Sequence, residues 1–178
     1  MRHFPYPGTK KERVLKAAMH LFSQQPYEAI PIHDLAQQAG VTIGTIYHHF
    51  QSKLGLYEVI CNEIERRVLD RMEGAIELVP ERNNGIYLAL ISGITFSYKY
   101  GFTLIFAEKN HYLSEDGISL FLKEATRTSL PTHLLLFSAW QTLNKELANE
   151  TITLNEAISL LKWQSGRLDL LHPSPHLP

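Results

Sequence analysis

The sequence predicts an all-α protein in which a small amino-terminal head precedes a larger helical body. Apolar residues recur three and four positions apart through most of the 178 residues, as on one face of a helix. No segment alternates apolar and polar residues for long enough to predict a strand. We divide the chain into a head of residues 9–57, a body of residues 58–172 and a tail of residues 173–178.

The first two helices have clear start and stop signals. Thr9 is a suitable N-cap for the first helix, and Glu12 follows at the spacing of a capping box. Pro26 ends this helix because proline cannot continue it without a break. A second, short helix is predicted from Pro31, at its first position, to Gly40, where glycine favours the left-handed conformation that ends a helix.

The remaining helices follow from capping residues and turn signals. Thr42 is the predicted N-cap of a third helix, and Ser52 caps a long fourth helix. The third helix and the helices after the fourth are predicted at 43–50, 84–100, 102–109, 116–127, 132–149 and 154–171.

Composition excludes several classes of protein. Apolar residues make up 44% of the chain and charged residues 20%, which suits a folded domain with a core. The single cysteine, Cys61, excludes a disulfide framework and a cysteine zinc site. The longest uncharged stretches are shorter than the ~20 apolar residues that a bilayer requires, and no signal peptide is visible. We therefore expect a cytoplasmic protein with no membrane partner.

Charge is unevenly distributed along the chain. Residues 1–57 carry six Lys and Arg against three acidic residues, a net charge of +3. The rest carries eleven against fifteen, a net charge of −4, so that the whole chain has a net charge of −1. A basic head on an acidic body suggests that the head meets a polyanion.

The segment 32–50 has the layout of a helix-turn-helix: a short helix, a glycine turn and a second short helix that faces outward. Ala36 allows the two helices to approach, and Gly40 makes the turn between them. We expect Val41 and Ile46 to pack against the first helix. The start of the second short helix would then enter a major groove with its amides facing phosphates.

The order of motifs also carries a family resemblance. Residues 17–22 read Ala-Ala-x-x-Leu-Phe, and Tyr27 supplies an aromatic residue after them. Residues 35–42 read Leu-Ala-x-x-Ala-Gly-Val-Thr, and residues 44–53 read Gly-x-Ile-Tyr-x-His-Phe-x-Ser-Lys. In this order they resemble the DNA-binding head of the TetR/AcrR transcriptional regulators. The resemblance covers somewhat over a quarter of the chain.

The resemblance implies a set of DNA contacts. Thr42 caps the recognition helix and offers its hydroxyl to a phosphate, Gly44 lets the backbone approach, and Thr45 contacts a base edge or a thymine methyl. Lys53 matches a phosphate-binding lysine. The residues assigned to DNA are Thr42, Gly44, Thr45, Tyr47, His48, His49, Lys53, Lys10 and Lys11.

The resemblance further implies a small-molecule pocket in the body and a homodimer, which would read paired half-sites of an operator. Aromatic residues with a few polar groups suit such a pocket. Its assigned lining is Phe96, Tyr100, Phe106, Phe137 and Trp140. Glu108 and His111 are polar candidates for the pocket, and a surface role is the favoured alternative for both. The assigned dimer face is Leu154, Ile158, Leu161 and Leu168. Family members commonly run longer, and the early end after Leu171 predicts a shortened or shifted interface.

Together these features predict a repressor whose dimer binds a palindromic operator and releases it when a small-molecule inducer fills the body. The fourth helix would couple the two sites, with Gly55 as a soft joint. No catalytic constellation or cofactor loop is visible, and His48 and His49 diverge too far to share a metal ion. We therefore expect no enzyme activity, cofactor or metal. Because 42–50 lacks Lys and Arg, an alternative is a ligand-binding or adaptor protein with a vestigial head.

Overall fold

The computed structural model describes residues 7–79, 82–108, 117–126 and 130–168, without the side chains of 82–84 and 165–168. Over these residues the chain is helical and has no strand, which confirms the predicted all-α class. The helices are α1 (Lys10–Gln24), α2 (Ile32–Ala39), α3 (Ile43–Phe50), α4 (Lys53–Glu77), α5 (Arg82–Lys99), α6 (Thr103–Glu108), α7 (Gly117–Thr126), α8 (Thr132–Ala148) and α9 (Leu154–Leu168). A 3₁₀ turn, Tyr27–Ala29, joins α1 to α2.

The predicted caps are present in the head. The hydroxyls of Thr9, Thr42 and Ser52 accept amide hydrogen bonds of 3.2, 3.3 and 2.9 Å from the third residue of α1, α3 and α4. The capping box of α1 differs in one detail, because the Glu12 carboxylate accepts a 2.6 Å bond from the amide of Gly8. The carboxylate thus binds the amide of the residue before the N-cap, rather than the amide of the N-cap Thr9 itself.

The head is held by a small apolar core between α1, α2 and α3. Phe22, Leu35 and Ile46 are almost completely buried, whereas Val41 lies partly buried at the edge. Gly40 ends α2 with a φ of 61°, the left-handed conformation that the sequence predicts. This packing fixes the angle at which α3 leaves the head.

The body is built around α4, which runs without interruption from the head. One face of α4 is buried, and α5 packs along it. Helix α8 packs against α6 and α7, and α9 packs against α5. The predicted boundary at residues 57 and 58 therefore falls inside a continuous helix, and the tail lies outside the described residues.

Helix α9 is described to Leu168, and the predicted end at residue 171 lies outside the described residues. Among the described helices, none is both long enough and apolar enough to cross a bilayer.

Candidate nucleic-acid interface

Helix α3 presents one face to solvent and buries the other. Ile46 and Phe50 anchor it in the head core, as their spacing of four residues predicts. Tyr47 is 46% exposed, and the His48 and His49 side chains beside it are also exposed. The structure therefore brings the polar residues of α3 together on the outer face of the head.

The start of α3 is open to a ligand. The Thr42 and Thr45 hydroxyls lie 3.0 Å apart, and the Thr42 oxygen also accepts the amide of Thr45. A Cβ added at Gly44 would meet nothing nearer than the Thr42 hydroxyl, at 3.8 Å. Packing therefore does not require glycine at this position. Because glycine has no side chain, the backbone of Gly44 is accessible from outside.

The lysines at the start of α1 lie near the end of α3. The Nζ of Lys11 is 5.9 Å from the centre of the Phe50 ring. Although the His49 side chain is exposed, partial desolvation lowers its pKa, and the charges of His48, Lys11 and Lys10 lower that pKa further. The exposed face of α3 is consequently flanked by two cations from another helix.

His48 and His49 are in contact with each other, with ring centres 5.1 Å apart in an edge-to-face arrangement. Among the described residues, no group of three or more His, Cys, Asp or Glu side chains is placed to hold a metal ion.

Lys53 has an intramolecular partner that the sequence did not indicate. Its ammonium donates a hydrogen bond to the carbonyl of Tyr27 and lies 4.0 Å from the centre of the Tyr27 ring. Burial lowers the pKa of Lys53, while the carboxylates of Glu28 and Glu108 oppose this. In this structure Lys53 is bound to the 3₁₀ turn rather than extended toward solvent.

The same turn connects the head to the body. The amide of Tyr27 donates a 3.1 Å hydrogen bond to the carboxylate of Glu108, at the end of α6. The Tyr27 ring packs on Phe22 and Tyr57, with ring centres 6.0 and 4.8 Å away. Glu108, which the sequence offers either as a polar partner of the pocket or as a surface residue, therefore contacts the head. A contact between residues 81 positions apart leaves no local sequence pattern that could have revealed it.

The junction of α3 and α4 depends on Gly55. Gln51 has a φ of 67°, and the amide of Ser52 donates a 2.8 Å hydrogen bond back to the carbonyl of Phe50. A Cβ at Gly55 would lie 2.3 Å from that carbonyl oxygen. Glycine is required here because α4 passes directly over the end of α3, a role that differs from the predicted soft joint.

The residues assigned to a pocket do not lie together. Phe96 and Tyr100 line a groove between α4 and α5. Phe106 and Trp140 instead pack edge to face in the core of the body, where both are buried. Phe137 is half-buried and packs on that core, and His111 lies outside the described residues.

The residues assigned to a dimer face do not form one exposed surface. Leu161 is 1% exposed and packs inside the chain, because α9 buries this face within the body. Leu154 and Ile158 are half-buried, and the Leu168 side chain is not among those described. Other apolar side chains of α8 and α9 point outward, and these are Leu134, Leu135, Leu160 and Trp163.

Residues 14–60 match the family model for bacterial regulatory proteins of the tetR family. A curated relative, the HTH-type transcriptional repressor KstR2 of Mycolicibacterium smegmatis, is 25% identical over 116 residues. That alignment covers 61% of this chain and 54% of the relative, so the chain spans about half the length of that protein.

Solved structures extend the likeness to the body. A putative TetR-family transcriptional regulator from Rhodococcus sp. superposes with a TM-score of 0.72 at 20% identity, covering 90% of this chain and 97% of that one. The regulator FadR from Bacillus subtilis, solved in complex with stearoyl-CoA, superposes with a TM-score of 0.66 at 16% identity. The match covers 88% of this chain and 96% of that one. These likenesses show the fold.

Proposed function

This chain belongs to the TetR family of transcriptional regulators, and we propose that it binds double-stranded DNA by inserting α3 into a major groove. One observation carries the proposal: Tyr47 and its histidine neighbours form an exposed face beside Lys10 and Lys11. Polar side chains on the recognition helix can reach base edges, while flanking lysines neutralise phosphates.

We further propose that the regulator is a homodimer that binds a palindromic operator. A single short recognition helix contacts too few base pairs for specific binding, and a two-fold dimer doubles that number. The outward apolar side chains of α8 and α9 support an interface there, with Leu135 69% exposed and Trp163 63% exposed in one chain. Such side chains are typical of a surface that another subunit covers.

We propose that the dimer is a repressor and that a small molecule bound in the body releases the DNA. The complex of Bacillus subtilis FadR with stearoyl-CoA supports a small-molecule effector for a chain of this fold. A ligand that favours a DNA-incompetent arrangement must lower DNA affinity, by thermodynamic reciprocity. Helix α4 and the contact between Tyr27 and Glu108 are the structural links through which this coupling would act.

A second candidate function is a ligand-binding or adaptor protein whose head no longer binds DNA. The specific observation in its favour is that α3 carries no Lys or Arg. This alternative predicts a protein without salt-dependent affinity for DNA.

Fluorescence anisotropy with DNA from immediately upstream of the gene tests the first proposal. We expect sequence-specific binding that weakens steeply with salt, because counterions released from phosphates dominate the affinity. Tyr47→Ala should weaken binding by about tenfold or more, the size expected for one base contact.

Tyr98→Ala is the matched control, because Tyr98 lies on α5 in the body and is 49% exposed, close to the value for Tyr47. An equal loss of DNA affinity in Tyr47→Ala and Tyr98→Ala would contradict a role for α3 in binding DNA. An affinity that does not change with salt concentration would contradict it too.

A further inference from the structure

The groove between α4 and α5 has a composition that identifies the class of molecule it can bind. Two adjoining cavities, of about 400 and 490 Å³, share Arg71, Phe96 and Tyr100 as lining residues. Together they form one continuous groove along the outer side of the two helices. Its floor is aromatic at one end and aliphatic at the other.

Two cations are held over the aromatic end. The guanidinium carbon of Arg71 lies 5.5 Å from the centre of the Phe96 ring, and the Nζ of Lys99 lies 5.7 Å from the centre of the Tyr100 ring. Each cation is thus kept near the groove by the face of a ring that lines it.

No carboxylate compensates these two charges within the described part of the chain. The other charged residues of the groove are already neutralised: Arg67 donates to Glu63 at 2.8 Å, and Asp70 accepts from Arg66 at 2.8 Å. Arg71 and Lys99 are in no ion pair among the described residues. The groove therefore has an excess of two positive charges at its aromatic end.

The opposite end of the groove is aliphatic. Its lining there is Ala75, Leu78, Leu88 and Ile91. Leu78 is 81% exposed, so this end offers apolar surface that the described part of the chain leaves uncovered.

We propose that this groove is the effector site and that it binds a small amphipathic anion. The anionic group lies between Arg71 and Lys99, and the apolar body of the molecule lies along the aliphatic end. Charge-assisted hydrogen bonds favour an anion over a neutral molecule of the same shape. A cation of that shape is rejected by the excess positive charge. The inference rests on the proposed function for its effect on DNA, but the binding itself does not require DNA.

Isothermal titration of the full chain without DNA tests the site. The probes are decanoate, 1-decanol and decyltrimethylammonium, which share an apolar chain and differ in the charge of the head, each used below its micelle concentration. We expect saturable binding of decanoate and at least about tenfold weaker binding of the other two. Arg71→Gln and Lys99→Gln should each weaken decanoate binding by about tenfold, with Arg71→Lys retaining most of it.

Lys123→Gln is the control, because Lys123 is exposed on α7 outside the groove, and circular dichroism checks that every variant is folded. Absence of saturable decanoate binding would overturn the proposal, as would equal affinity for 1-decanol or equal binding by all the variants. Since no DNA is present, a failure here is distinguishable from a failure of operator binding. If decanoate binds but does not change operator affinity, only its role as an effector is overturned.

Discussion

Single side chains of α3 determine what the head can contact, because Ile46 and Phe50 are committed to the core. Tyr47, His48 and His49 are then the large exposed groups at the centre of the outer face, and none of them carries a permanent positive charge. The positive charge of this face therefore depends on whether its imidazoles are protonated. An arginine-rich recognition helix would keep its charge at any physiological pH.

We predict that DNA affinity rises as pH falls and that His49 contributes to this rise. Partial desolvation and the neighbouring cations lower the pKa of His49 in the free protein, whereas DNA phosphates stabilise the imidazolium and raise that pKa in the complex. Binding therefore takes up a proton, and affinity grows as pH falls from the bound pKa to the lowered free pKa. Anisotropy titrations across this range measure the effect.

His49→Gln should flatten this pH dependence. His20→Gln is its control, because His20 is exposed on α1 beside Gln38 and Ala39 of α2 and is not part of the exposed face of α3. A pH dependence as large in His49→Gln as in the unmodified protein would exclude His49 as its source.

Gly55 is a residue at which a methyl group should be harmful. Gly55→Ala should lower the free energy of unfolding by about 1–3 kcal/mol, because its Cβ overlaps the carbonyl oxygen of Phe50. Gly74→Ala, in the same helix with open space around it, should raise the free energy of unfolding by about 0.5–1 kcal/mol. Chemical denaturation gives both values, and a stabilised Gly55→Ala protein would refute the packing role.

At the scale of elements, the 3₁₀ turn Tyr27–Ala29 is one of the places where head and body meet, together with the continuous helix α4 and the packing of α1 on α6. The carbonyl of Tyr27 accepts a hydrogen bond from Lys53 at the start of α4. The amide of the same residue donates a hydrogen bond to Glu108 at the end of α6. We propose that a movement of α6 would reach Lys53 through this turn, because both contacts are made by the backbone of Tyr27.

The hydrogen bond from Tyr27 to Glu108 should protect the Tyr27 amide from exchange with solvent. Glu108→Ala removes the acceptor, so we expect the Tyr27 amide to exchange about tenfold faster or more in hydrogen–deuterium exchange. Glu108→Gln keeps a carbonyl acceptor and should retain most of the protection. Equal exchange rates in the alanine variant and the unmodified protein would show that this contact does not hold the turn.

At the scale of the whole molecule, the head and the fold class follow from local sequence signals, and the arrangement of the body does not. Caps such as Thr42 and the turn at Gly40 act within a few residues, so their sequence patterns are sufficient to predict them. The partner of Lys53 and the inward side of Leu161 depend on contacts between distant helices. Periodicity identifies an apolar face but not which neighbour covers it, and α9 illustrates this limit.

Association is also a property of the whole molecule. We predict that Leu135→Glu and Trp163→Glu shift the protein from dimer to monomer, because each places a charge in an apolar interface. Leu120→Glu should leave the mass unchanged, since Leu120 is similarly exposed but lies on α7. Light scattering after size exclusion measures the mass, and an unmodified protein that is already monomeric would contradict the proposed interface.

Selection of bound sequences from a random pool of double-stranded DNA tests the central proposal most directly, because it requires no knowledge of where the operator lies. The unmodified protein should enrich an inverted repeat whose half-sites face the same side of the duplex, with centres separated by about one helical turn or a multiple of it. Tyr47→Ala should fail to enrich it, and Tyr98→Ala should enrich the same sequence. A pool that shows no common sequence after selection, or enrichment of the same sequence by Tyr47→Ala, would contradict recognition of DNA by α3.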